Sequence, residues 1–68
     1  MNIQRFHAYE QLIEREGKAC LTQLISWTAS NKFLTLKYLN EIIKKGLIIK
    51  SGSYYKLNKE AVEQWYLN

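Results

Sequence analysis

Six lysines, Lys32, Lys37, Lys44, Lys45, Lys50 and Lys56, stand against a single carboxylate, Glu41, between residues 19 and 58, a net +5 in a chain whose total is +4. Charge of one sign gathered in one stretch attracts a polyanion, so these groups suit ion pairs with phosphate. Residues 1 to 18 balance to zero, with Arg5, Arg15 and Lys18 against Glu10, Glu14 and Glu16, and the last ten come to −1. Among the lysines lie groups able to read bases. Asn31 can bond adenine at two atoms, Lys32 and Lys37 can reach guanine acceptors, and Thr35 joins them if its hydroxyl turns outward. Lys44, Lys45, Lys50 and Lys56 suit phosphates, as do the hydroxyls of Ser51, Ser53 and Tyr54 and the N–H of Gly52. Tyr38 pairs with Leu34 four residues earlier on an apolar strip. On the outward side of their helix the two either pack against the wing or another subunit, or Tyr38 touches a phosphate or a thymine methyl.

No comparable set supports catalysis. The chain has one histidine, His7, one cysteine, Cys20, and no aspartate, so a nucleophile, a base and an orienting group cannot be assembled. A Gly-rich phosphate loop is missing. A lone cysteine excludes an intrachain disulfide and, with a single histidine, a Cys/His zinc site. Cys20 reads as a small buried filler and His7 as a surface or packing residue. No enzyme activity, cofactor, metal or small-molecule substrate is expected.

The elements that must carry the basic groups emerge from apolar spacing. Ile3, Phe6, Tyr9, Leu12 and Ile13 recur at helical intervals and predict a first amphipathic helix, stopped by Gly17. Lys18 to Leu21 is an extended link. Thr22 can cap a short second helix with Leu24, Ile25 and Thr28 inside. Ala29 to Asn31 form a tight turn in which Asn31 either takes a left-handed conformation or caps the third helix. That helix, over about 32–45, has Leu36, Leu39, Ile42 and Ile43 inside, with Phe33 helping to close the turn, and Gly46 ends it. The period then changes to that of strands. Leu47 to Lys50 and Tyr54 to Leu57 form a hairpin joined by Ser51, Gly52 and Ser53. Asn58 caps a last helix bearing Ala61, Val62, Trp65 and Tyr66. Trp27 and Trp65 read as packing or dimer anchors.

Sixty-eight residues allow one domain, 1–68, of α+β class and mainly α: three helices, a two-stranded β-hairpin at about 47–57 and a short C-terminal helix. From Leu21 to Leu57 the sequence LTQLISWTASNKFLTLKYLNEIIKKGLIIKSGSYYKL resembles the winged helix-turn-helix superfamily of DNA-binding proteins. The likeness rests on a recognition helix closed by a KKGLI step and a short wing ending in YYKL. The final stretch SGSYYKLNKEAVEQWY is also similar to the wing and closing helix of excisionases, although residues 2 to 16 add a helix that compact excisionases generally lack. The resemblance implies sequence-specific binding of double-stranded DNA by a small transcription regulator. Its recognition helix, about 32–45, would enter the major groove, with its wing, about 50–56, on the minor groove or backbone. Two alternatives stand beside it: a winged-helix module for protein–protein interaction, and an excisionase-like accessory factor in recombination or replication.

Small size and an aromatic last helix raise the further expectation of a homodimer, formed through Trp65 or through the first helix, on DNA half-sites about 34 Å apart. No membrane-length apolar run and no secretory pattern are present, so a cytoplasmic location is expected, or a host-cell interior for a phage, plasmid or archaeal-virus protein.

Overall fold

A computed structural model describes residues 1–68. It is a small, mainly helical α+β domain with four helices and a three-stranded antiparallel sheet. The elements run α1 (Ile3–Glu16), β1 (Ala19–Cys20), α2 (Leu21–Thr28), α3 (Lys32–Lys44), β2 (Ile48–Ser51), β3 (Tyr54–Leu57) and α4 (Lys59–Leu67).

Three of the helices start on asparagine. The side-chain oxygens of Asn2, Asn31 and Asn58 accept the backbone N–H of Arg5 (3.0 Å), Leu34 (2.8 Å) and Ala61 (3.3 Å). Each cap satisfies one of the four orphan donors at a helix N-terminus. For Asn31 the structure therefore selects the cap, and the left-handed residue of the turn is Ala29, at φ 50°. Helix α2 begins differently from expectation: Cys20, not Thr22, is its N-cap, with the Gln23 side chain accepting the Cys20 N–H at 2.9 Å. Cys20 is consequently half-exposed and no core filler. The Thr22 hydroxyl, 3.1 Å from its sulfur, draws the thiol below its ordinary pKa.

The two-residue strand β1 occupies the stretch expected to be a plain link. It pairs with β3 through Ala19↔Tyr55 and Cys20↔Tyr54, making the hairpin part of a sheet ordered β1-β3-β2. Ala19 is buried where this strand meets the core. The hairpin loop is also shorter than the three residues expected. Ser51 pairs with Tyr54, leaving Gly52 and Ser53 as a two-residue turn. Gly52 has φ 61° and Ser53 is not left-handed, the pattern of a type II′ turn, which needs glycine first and matches strand twist.

Phe6, Tyr9, Leu12 and Ile13 of α1 form the centre of the core, closed by Ala19, Leu24, Leu39, Ile42, Leu47, Ile48, Tyr55 and Val62. Side chains on α2 and α4 then fasten those helices to α1. The Trp27 indole N–H donates to the Ala8 carbonyl at 2.7 Å while Arg15 lies over its ring. Trp65 meets Phe6 edge to face at 5.2 Å, so this tryptophan is engaged within the chain. The Tyr66 hydroxyl donates to Glu10 at 2.6 Å and lies 3.1 Å from His7 Nδ1. Desolvation there, with the Glu10 hydrogen bond, pushes the phenol up to about 12.

Candidate nucleic-acid interface

Helices α2 and α3 pack on each other across a three-residue turn, and the β2–β3 hairpin comes directly after α3. Which side of α3 faces outward decides what the chain can offer a partner. Its buried positions are Thr35, Leu39 and Ile42, flanked by half-buried Leu36, Tyr38 and Ile43. The inward stripe is thus rotated toward Tyr38 relative to the one expected from Leu36, Leu39, Ile42 and Ile43.

That rotation turns Thr35 inward and Phe33 outward. Thr35 is 0% exposed, and its hydroxyl donates to the Asn31 carbonyl at 2.8 Å, so it cannot reach a base. Phe33, expected to close the turn, is 74% exposed. The outward face instead consists of Phe33, Lys37, Asn40 and Lys44, all exposed, at i, i+4, i+7 and i+11, which aligns them along one side of a helix. Lys32 and Lys45 flank it, both exposed. Glu41, the one acid in this stretch, is half-buried beside it.

Asn31 is exposed at the start of α3, but its side-chain oxygen is committed to the cap, so reading adenine would compete with helix initiation. Tyr38 packs against the core with Leu39 and Ile42 as neighbours in its helix, and Arg5 of α1 lies over its ring at 5.0 Å. Tyr38 is therefore turned inward onto the core and α1, which differs from the outward position expected for it against the wing, another subunit or DNA. In the hairpin, Lys50, Ser51, Gly52, Ser53, Tyr54 and Lys56 are all exposed. Strand alternation separates the two lysines. Lys50, opposite Tyr55, shares a face with Ile48 and Leu57, whereas Lys56, opposite Ile49, shares the other face with Ser51 and Tyr54.

Three residues outside the expected set belong to this surface. Asn40 and Phe33 are found by tracing the outward stripe, a spacing present in the sequence but masked because apolar residues occur nearly all around α3. Lys18 places its ammonium 4.3 Å from the centre of the Tyr54 ring. It joins the hairpin through the β1–β3 pairing, which no local pattern announces.

No protein-family model, curated protein or solved structure matches this chain. The exposed surface of α3 and the hairpin is what the chain offers a partner. Its chemistry is cationic and hydrogen-bonding: exposed ammonium groups on α3 and on both faces of the hairpin, hydroxyls at the turn, and one amide and one aromatic ring facing out between the lysines.

The Asn31 cap gives the placement of α3 a measurable dependence. Asn31→Ala is expected to lower unfolding free energy by about 1 kcal/mol, the usual cost of losing such a cap, read by chemical denaturation. A change under a few tenths would mean that the cap does not hold the start of α3.

Proposed function

We propose that this protein is a winged helix that binds double-stranded DNA, with α3 as the recognition helix in the major groove and the β2–β3 hairpin as the wing. The observation that carries this reading is the continuous outward face of α3, Phe33–Lys37–Asn40–Lys44, set directly before a lysine-bearing hairpin. A helix about 10–12 Å across fits a major groove of about 12 Å. Lysines along its side and at its end are placed to pair with phosphates at the groove walls and fix register.

The separation of Lys50 and Lys56 adds a constraint on the wing. A hairpin laid flat on the duplex would turn one of them away. Inserted tip first, with Ser51, Gly52 and Ser53 leading, it would bring one lysine toward each wall of the minor groove, a use suited to so small a turn. Brace strand β1 would hold that hairpin at a set angle to α3. The role is then that of a sequence-specific regulator, or an accessory factor in recombination or replication, without chemistry of its own.

The direct test is mutational. Lys37→Ala combined with Lys50→Ala should weaken binding to duplex DNA and reduce the slope of log affinity against log salt by about 2, because each phosphate contact contributes about 0.9. An unchanged affinity would remove this mode of binding while leaving the fold intact. Exposed Phe33 favours one second reading, a module that docks on another protein; loss of all duplex binding at low salt would be its signature.

A further inference from the structure

Four of the asparagines lie within or at the start of helices, and three of them have a structural use. Asn2, Asn31 and Asn58 are caps. Asn40 is not: it stands in the interior of α3, exposed, where asparagine is a poor helix former and no orphan N–H needs its oxygen. The chain's two phenylalanines divide in the same way. Phe6 is in the core, whereas Phe33 is left 74% exposed on the face that Asn40 shares. Residues that break local rules with no compensating contact are expected at functional positions.

On the DNA-binding reading, on which this inference rests, their chemistry is specific. We propose that Asn40 and Phe33 make the site an A·T-containing one, Asn40 reading an adenine and Phe33 covering a thymine methyl on a nearby pair. The Asn40 amide carries an acceptor and a donor side by side, which matches the N6 amino group and N7 of adenine. Guanine presents two acceptors at the same place and can be met only by donors. An apolar ring has one counterpart in the major groove, the 5-methyl of thymine. Seven residues separate the two along α3, roughly 10 Å, or about three base steps at ~3.4 Å each. The lysines of the same stripe neutralise phosphate and leave this choice to the two uncharged groups.

The test starts from the purified chain and a pool of labelled duplexes randomised over a stretch longer than two helical turns. Selection should enrich an adenine and a thymine about three pairs apart. On the selected duplex, Asn40→Ala should lose about 5- to 150-fold in affinity, the worth of one bidentate base contact, and Asn40→Gln should retain part of it. Replacing the adenine by 7-deazaadenine should weaken the wild-type protein and leave Asn40→Ala unaffected. Replacing the thymine by uracil should do the same for wild type and Phe33→Ala. Binding to the unselected pool should fall much less than binding to the selected duplex in both variants, and neither should shift the thermal midpoint by more than a few degrees. Salt-dependent binding to the pool with no enriched adenine, or equal losses on all duplexes, overturns this inference while leaving DNA binding in place. No binding to any duplex overturns both.

Discussion

Phe6→Ala should leave the chain largely unfolded or lower its thermal midpoint by roughly 15–30 °C, whereas Phe33→Ala should shift the midpoint by no more than a few degrees. The two substitutions delete the same atoms, and burial decides the difference. Phe6 is 0% exposed and meets Trp65 edge to face at 5.2 Å. Truncating such a ring costs about 3–5 kcal/mol in lost burial and cavity formation. A chain of 68 residues has a total stability of only about 3–10 kcal/mol at the usual value per residue, so one such loss removes most of it. At Phe33 the lost ring was already in water, and alanine is the better helix former. Thermal melts monitored by circular dichroism measure both. Similar midpoints for the two variants would mean that α1 and α4 do not pack on each other as described.

The helices are legible in the sequence because their signals are local. The apolar stripe of α1, the stop at Gly46 and the cap at Asn58 each depend on residues within a turn or two. Gly46, at φ 79°, adopts the conformation that a glycine after a lysine-rich last turn suggests. The hairpin is legible for the same reason, apart from its turn, whose length depends on which residues pair.

What escapes is non-local. Two residues cannot announce a strand, and β1 exists because Ala19 and Cys20 find β3 more than thirty positions away. That pairing makes Cys20 the cap and leaves Thr22 without the role, and it carries Lys18 to the hairpin from a segment that is neutral in sum. The rotation of α3 escapes for a different reason. Phe33, Leu34, Leu36, Tyr38, Leu39, Ile42 and Ile43 surround the helix almost completely, so periodicity alone cannot tell that Thr35 faces in and Phe33 out. Threonine can be buried here because its hydroxyl returns to the Asn31 carbonyl, the satisfied state that an interior polar group requires. The lysines of the candidate surface are visible in sequence because charge is a matter of composition, and its uncharged members are hidden because their meaning depends on orientation.

The second large effect is the response of duplex binding to salt. Lys32, Lys37, Lys44, Lys45, Lys50 and Lys56 are all exposed, and a lysine that pairs with a phosphate releases condensed counterions. Six such contacts give a slope of log affinity on log salt of about −5, so a fourfold rise in salt should cost roughly 10³ in affinity. If Lys18, beside the Tyr54 ring, also reaches the backbone, the slope steepens to about −6. A protein-docking surface centred on Phe33 would bury apolar area and show little of this dependence.

Fluorescence anisotropy of the purified chain against a labelled random duplex, at about 50 and 200 mM salt, therefore tests DNA binding most directly. Micromolar binding at the lower concentration that weakens by about three decades at the higher is the predicted result. No binding at about 50 mM, or binding that barely changes over this range, would contradict it.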